Sequence, residues 1–346
     1  MLEQNARAEG VGVTYHPFLH GALLAQRDAF DFVELPLDLY IDPARAALLD
    51  PAGARLEEIA AAKPCIWRGS ALSLGSVEST ADPSPDPRTI DRIRQLMAKA
   101  GAMGYSDVIG FRRLGESYLG FPQSMPYTET AARWIGARYA AARDALGRRF
   151  WLQLSPAAFA GPPAGLDAAA FLCRISAHAD CEFVLDVADL ARFAAEAGTG
   201  ADEMARLLPG TRIGALVTSG EREEDWALLS FLSGRVEARS IVIRRNRHLF
   251  PLDAIGRTAR RAGELLAGRR GKPPVASPAP APLPADPEGL ADLRAYEMEL
   301  IQYCLDPPEG SALATSVQGW QVWRKRLEET YKAQQISQFL AADAGS

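Results

Sequence analysis

Short runs of almost continuous apolar residues alternate along the first 270 residues with longer stretches that repeat apolar side chains at i, i+3 and i+4. That alternation restricts the chain to parallel strands joined by crossover helices. The strand-like runs are residues 11–15, 32–37, 64–68, 107–112, 150–155, 182–187, 212–218 and 239–245. The helical patterns are 19–29, 43–62, 88–102, 129–146, 167–179, 188–197, 223–232 and 252–266. Strands that are apolar on both faces need cover on both faces. The expected fold class is therefore α/β, a (β/α)8 TIM barrel of eight strands, with an open doubly wound sheet as the alternative.

Boundary residues agree with this pattern. Pro43 and Pro251 suit a first helical position, and Gly147 can take the positive φ that ends a helix. The proline- and alanine-rich segment 271–286 builds no core and reads as an extended spacer. It separates an expected barrel domain, 1–270, from an expected helical tail, 287–346, with helices at 289–303 and 318–340. At 48% hydrophobic and 23% charged, the chain has the composition of a globular protein. No apolar run reaches the roughly 20 residues of a membrane span, and the first ten residues lack a signal-peptide core, so a cytoplasmic location is expected. The net charge of −5 gives no general attraction for nucleic acid. Cys65, Cys173, Cys181 and Cys304 show no C-x-x-C spacing, which argues against a structural zinc and a disulfide framework.

In such a barrel, chemistry sits at the C-terminal ends of the strands, so the residues closing each run are the candidates. They are His16 and His20, then Glu34 and Asp38, Arg68, Asp107 with Arg112 and Arg113, and Gln153. The later runs add Asp186 and Asp189, Thr218 and Glu221, and finally Arg244, Arg245, Asn246, Arg247 and His248. Arg68 and Arg244 fall where a strand side chain enters the barrel, and a buried guanidinium needs a partner. Two readings follow: an internal ion-pair network with Glu34, Asp107 or Asp186, or an anionic ligand. A metal would draw several His, Asp and Glu side chains from different strands. The residual metal candidates are His16, His20 and His248, with Glu34 or Asp38 beside them, whereas His178 belongs to a helix. There is no P-loop, H-E-x-x-H or G-x-S-x-G pattern. The opening GVGVTYHPF lacks the third glycine of a dinucleotide fingerprint. LSLGS at 72–76 offers either an anion-holding backbone nest or a plain turn.

GVGV at the start, DFVELPLDLY at 31–40, RGSALSLGS at 68–76, YSDVIGF at 105–111, MPYTET at 125–130 and FVLDVADL at 183–190 together resemble a known family. It is the multinuclear non-heme iron-dependent oxidative enzymes, long catalogued as a domain of unknown function. LSLGS and PYTE are the specific pieces. The resemblance spans about residues 10–267 and implies a (β/α) barrel. Members bind two or three irons and oxidatively modify cysteine or other residues of ribosomally made peptides, usually with a partner protein that presents the peptide.

Carried over by position, the family's metal ligands fall on Arg68, Val108, Gln153, Ala188, Val217, Glu221, Arg244 and Asn246, while Glu34, Asp107 and Asp186 remain. Cationic, apolar and neutral residues thus stand where imidazole and carboxylate donors belong. The resemblance implies a degenerate member that lacks most metal ligands. The expected function is a non-catalytic barrel that binds a peptide, or an active metal-bearing relative as a heterodimer, in ribosomal-peptide modification. No cofactor, nucleic acid or membrane is expected. Two alternatives stand beside it. One is a metal-independent enzyme or anion-binding protein using Arg68 and Arg244, with Asp186 or Glu34 as acid or base. The other is a residual iron-dependent peptide-modifying oxidase using the three histidines. The tail, with LRAYEMELIQYCLDP and VWRKRLEETY, loosely resembles the start of the family's partner proteins.

Overall fold

The structure is a computed structural model that describes residues 9–42, 47–48, 53–79, 81–114, 117–123, 125–154, 166–208, 212–244, 253–268 and 287–305. The barrel strands are β1 (Gly10–Thr14), β2 (Phe32–Pro36), β3 (Cys65–Gly69), β4 (Gly104–Ile109), β5 (Arg149–Leu154), β6 (Glu182–Asp186), β7 (Ile213–Thr218) and β8 (Ser240–Ile243). Each pairs in parallel with its sequence neighbours, and β8 closes onto β1. This is the expected (β/α)8 barrel, and the open sheet is excluded by the closure.

Around the strands lie α1 (His20–Ala25), α2 (Gly53–Ala62), α3 (Pro87–Lys99), α4 (Glu129–Leu146), α5 (Ala168–His178), α6 (Val187–Glu196), α7 (Ala201–Arg206), α8 (Glu223–Ser233) and α9 (Asp253–Ala267). Their ends follow local chemistry. Asp86, Thr128, Asp167 and Asp186 cap α3 to α6 by accepting from backbone N–H groups. Gly147 takes φ +62° after α4, as its sequence position predicts.

Three expectations need correction. The helix expected over 43–62 begins at Gly53, because Ile41–Asp42 pairs antiparallel with Ala47–Leu48. The strand expected over 107–112 runs from Gly104 to Ile109, and Phe111–Leu114 instead pairs with Ser117–Gln123 in an antiparallel ribbon. Gly, Tyr and Ser at 104–106 had disguised its start. Helix α7 was missed because six residues are too few to show a period. Pro43, Pro251 and the spacer 271–286 lie outside the described residues.

The barrel interior is packed by Phe32, Ile66, Trp151, Val184, Ala215, Val217 and Val242. Two glycines make room for the largest rings. A Cβ on Gly12 would lie 2.3 Å from the Phe32 ring, and one on Gly104 would lie 2.4 Å from that of Trp151. Of the G-x-G of the first strand, Gly12 therefore serves core packing, while Gly10 sits at φ +106° against the Asp31 side chain. Outside the strands, Tyr105 stacks on Phe150 with centroids 5.7 Å apart, and Tyr139 of α4 stacks on the same ring at 5.0 Å.

The chain divides into two compact units, residues 1–294 and 295–346. One helix, α10 (Pro287–Leu305), runs across that boundary and covers the expected tail helix at 289–303. The second tail helix, expected at 318–340, lies outside the described residues. No helix among the described residues is long and apolar enough to cross a membrane.

Gly12→Ala should lower stability by about 1–3 kcal/mol through overpacking against Phe32. Gly21→Ala, where an added Cβ meets nothing within 4 Å, should leave it unchanged or slightly raised. Urea unfolding of both variants tests the difference.

Candidate functional site

Side chains alternate in and out along each strand. Since Phe32, Ile66, Trp151, Val184 and Val242 fill the barrel, Glu34, Arg68, Gln153, Asp186 and Arg244, each two residues further on, stack above them at the C-terminal mouth. Arg244 stays in line with β8 because its N–H donates to Thr218 O at 2.9 Å.

Glu34 is 1% exposed and is gripped by Arg244 in a two-pronged contact. Arg244 Nε donates to Oε2 at 3.0 Å and Nη2 to Oε1 at 2.6 Å, the fork geometry that makes such pairs strong. Thr14 Oγ1 adds a donation to Oε2 at 2.6 Å. The remaining Arg244 nitrogen, Nη1, donates to Gln153 Oε1 at 3.1 Å and lies 3.8 Å from Asp186 Oδ2. The same Gln153 oxygen accepts from Arg68 Nε at 3.3 Å, so one amide carbonyl bridges two guanidiniums. Asp186 divides its oxygens, with Oδ1 accepting from Ala188 N at 3.0 Å to cap α6.

The charges respond to this crowding. Burial alone would raise the Glu34 carboxyl, but the charge and hydrogen bonds of Arg244, with Arg68 and Thr14, hold it below the usual carboxylate range. Burial would weaken the Arg244 cation, and Glu34, Asp186 and Asp189 more than restore it. Arg68 is lowered, by burial first and then by the neighbouring Arg244 charge. Asp186 is raised by burial, against the pull of Arg244. Asp189, in the first turn of α6, is pushed up to about 7 by burial and then by Asp186.

Other candidates lie elsewhere. Asp107, expected at the mouth or as an arginine partner, occupies the opposite strand parity. Its Oδ2 accepts from Tyr105 OH and from Leu72 N, the latter at 3.1 Å, so it anchors the 72–76 loop. Burial pushes its carboxyl up to about 7. Asp38 is 48% exposed and accepts from Arg112 at 3.1 Å. Glu221 is exposed in the turn before α8. His20 does not converge on the mouth, because Glu58 of α2 holds its Nε2 at 2.9 Å and Tyr15 OH lies 3.4 Å from its Nδ1. His16 is half-buried after β1. Asn246 and His248 lie outside the described residues. His178 belongs to α5, as expected, and meets Glu129 at 2.7 Å. Among the described residues no group of three or more His, Cys, Asp or Glu is placed to hold a metal ion. Sequence reasoning missed Thr14, whose only signal was a hydroxyl closing the first strand.

The LSLGS loop is a clamped turn rather than an anion nest. Ser73 sits at φ +48° and accepts from Arg112 N at 2.8 Å, and Gly75 N donates to Gly110 O at 2.7 Å. A Cβ on Gly75 would lie 2.5 Å from Met125 Sδ and 2.7 Å from the Gly110 backbone, so only glycine fits.

A family model described as "RiPP precursor modification enzyme MbnB/TglH/ChrH" matches residues 10–266. The chain belongs to this family. A UPF0276 protein of Anaeromyxobacter sp. is 25% identical over 255 residues, covering 68% of this chain and 87% of its own. Another, of Acaryochloris marina, is 24% identical over 219 residues, covering 62% and 74%. Among solved structures, a sugar phosphate isomerase/epimerase from Parabacteroides distasonis is 10% identical, covers 77% of this chain and 98% of that one, and has a TM-score of 0.48. Within the family frame, the retained pieces have architectural work. LSLGS and Met125 interlock at Gly75, and PYTE supplies the Thr128 cap of α4 and the Glu129 partner of His178. Three positions where the resemblance puts metal ligands, Arg68, Gln153 and Arg244, are hydrogen-bonded into one cluster, and a fourth, Val217, is fully buried in the apolar core.

Arg244→Met strands the Glu34 carboxylate and should cost roughly 3–5 kcal/mol in urea unfolding at neutral pH. In the parent protein the folded-state Glu34 pKa is depressed. Its contribution is therefore complete above the unfolded carboxylate range and lost as pH falls through the folded value. In the variant the sense reverses, and acid should recover part of the loss by protonating Glu34. An equal cost at acidic and neutral pH would mean that lost packing, not the stranded charge, dominates.

Asp189→Asn should raise stability increasingly as pH rises from the unfolded carboxylate range to about 7, fully above that, and leave it unchanged in stronger acid, because the folded state keeps a proton that the unfolded state has lost. Unfolding curves across that pH range measure this.

Proposed function

We propose that this chain is a non-catalytic member of the ribosomal-peptide-modifying family, a barrel that binds a peptide or an active metal-bearing relative. The observation that carries the reading is the occupation of both Glu34 oxygens by Arg244. Arg244 and Thr14 take three of the roughly four lone-pair sites of that carboxylate and hold it ionised, which makes it a poor metal ligand and a weak base.

The donor set does not fit the family's irons. Arg68 and Arg244 stand at ligand positions with a neutral amide between them. At about 4 Å and an effective dielectric near 20, unit charges interact by ~4 kcal/mol, so a divalent cation would be repelled by each guanidinium at about twice that. Asp186 is engaged as the cap of α6, and His20 is held by Glu58. Retention of the fold with such a mouth favours recognition over oxidation. A surface inherited from an oligomeric relative can outlast its active site, which makes a heterodimer with an active relative the natural form.

The test is elemental analysis for iron, zinc and manganese on protein purified from iron-replete cells without a chelating tag, followed by mixing with a metal-bearing family member in light scattering. Folded protein far below one equivalent of metal that forms a defined heterodimer or binds a peptide is expected. Stoichiometric iron together with oxidation of a peptide would overturn the proposal.

A further inference from the structure

We infer that Arg68 is the recognition residue of the barrel mouth and that its ligand is a single carboxylate group. The inference rests on the peptide-binding reading above only for what carries that carboxylate.

The two mouth arginines are not equivalent. Arg244 spends its charge on Glu34 and gives its third nitrogen to Gln153. Arg68 is half-buried, and its one hydrogen bond among the described residues runs from Nε to Gln153 Oε1. It has no carboxylate within ion-pair distance there, and its two terminal nitrogens have no acceptor. Gln153 is 2% exposed, and its oxygen is turned toward both guanidiniums while its amide nitrogen has no acceptor among the described residues. A planar cation fixed at Nε and an adjacent amide N–H form a donor set suited to a planar two-oxygen anion. A half-buried cation with carboxylates acting on it only from beyond hydrogen-bond reach gains by taking up a carboxylate of its own.

The surrounding charge limits the ligand. Asp186 and Asp189 both act on the charge of Arg68 and would repel a second negative charge. A carboxylate presents one unit of charge in the geometry Arg68 matches, whereas a phosphate dianion would add a further repulsion against both aspartates. On a peptide this group is the C-terminus or an Asp or Glu side chain.

Calorimetric titration of the full chain separates these sources. The probes are a short peptide with a free C-terminus and no acidic residue, its C-terminal amide, the amide carrying one internal Glu, and inorganic phosphate. Binding of the free acid alone assigns the C-terminus, and binding of the Glu-bearing amide assigns a side chain. Either outcome supports the inference if Arg68→Met weakens it by roughly 10- to 100-fold, the worth of a charge-assisted pair, and Arg68→Lys by less. Should Arg68→Met fail to fold, Asp189→Asn provides an independent reading, with binding tightened by removal of a like charge. Equal affinity in Arg68→Met, no change in Asp189→Asn, absence of binding to every carboxylate probe, or tighter binding of phosphate would each overturn it. Failure here is distinct from failure of the proposed function, which is decided by metal content and peptide oxidation.

Discussion

The mouth of this barrel depends on one contact, the bidentate pair between Arg244 and Glu34. It joins the last strand to the second across the barrel interior, with Thr14 of β1 fastened to the same carboxylate. Because both partners are almost fully buried, neither has water to fall back on. The pair is therefore obligatory once either residue is present. What remains at the mouth follows from it. Gln153 must turn its oxygen toward the two cations, Arg68 is left with the amide instead of a carboxylate, and Asp186 is held at 3.8 Å from Arg244 while capping α6.

The residues that hold this fold together and those that line its mouth are different sets. The pieces that most resemble the family, LSLGS and MPYTET, meet where Gly75 touches Met125 and Gly110, a contact no larger residue permits. They hold the loop after β3 against the ribbon after β4 and start α4. Arg68, Gln153 and Arg244, at positions where the resemblance puts ligands, bond to one another above the apolar core instead of packing within it.

Buried carboxylates in this protein behave in opposite senses for the same underlying reason. Glu34 has a guanidinium on both oxygens and is held in its ionised form. Asp107, with a phenol and one backbone N–H for partners, and Asp189, with Asp186 nearby, are pushed up to about 7. Burial raises all three carboxyls, and only Glu34 has cationic and hydrogen-bonding partners strong enough to reverse that direction.

The alternation of strand and helix patterns was legible in the sequence because each element must cover its apolar face locally, and period alone reveals that. The span of α4 and the positive φ of Gly147 were legible from local sequence as well, whereas for the mouth arginines the sequence left an ion-pair network and an anionic ligand both open. Periodicity does not show which partner a side chain meets across the barrel, and there the sequence was silent. It left Glu34, Asp107 and Asp186 as equal candidates for two arginines and grouped His20 with the mouth. Strand parity sent Asp107 outward to the LSLGS loop, and the packing of α1 on α2 drew His20 to Glu58. The closure of the barrel brought Arg244 within reach of Glu34, residues 210 apart in the chain. Such pairings depend on register and closure, which are properties of the assembled sheet and not of any local stretch of residues.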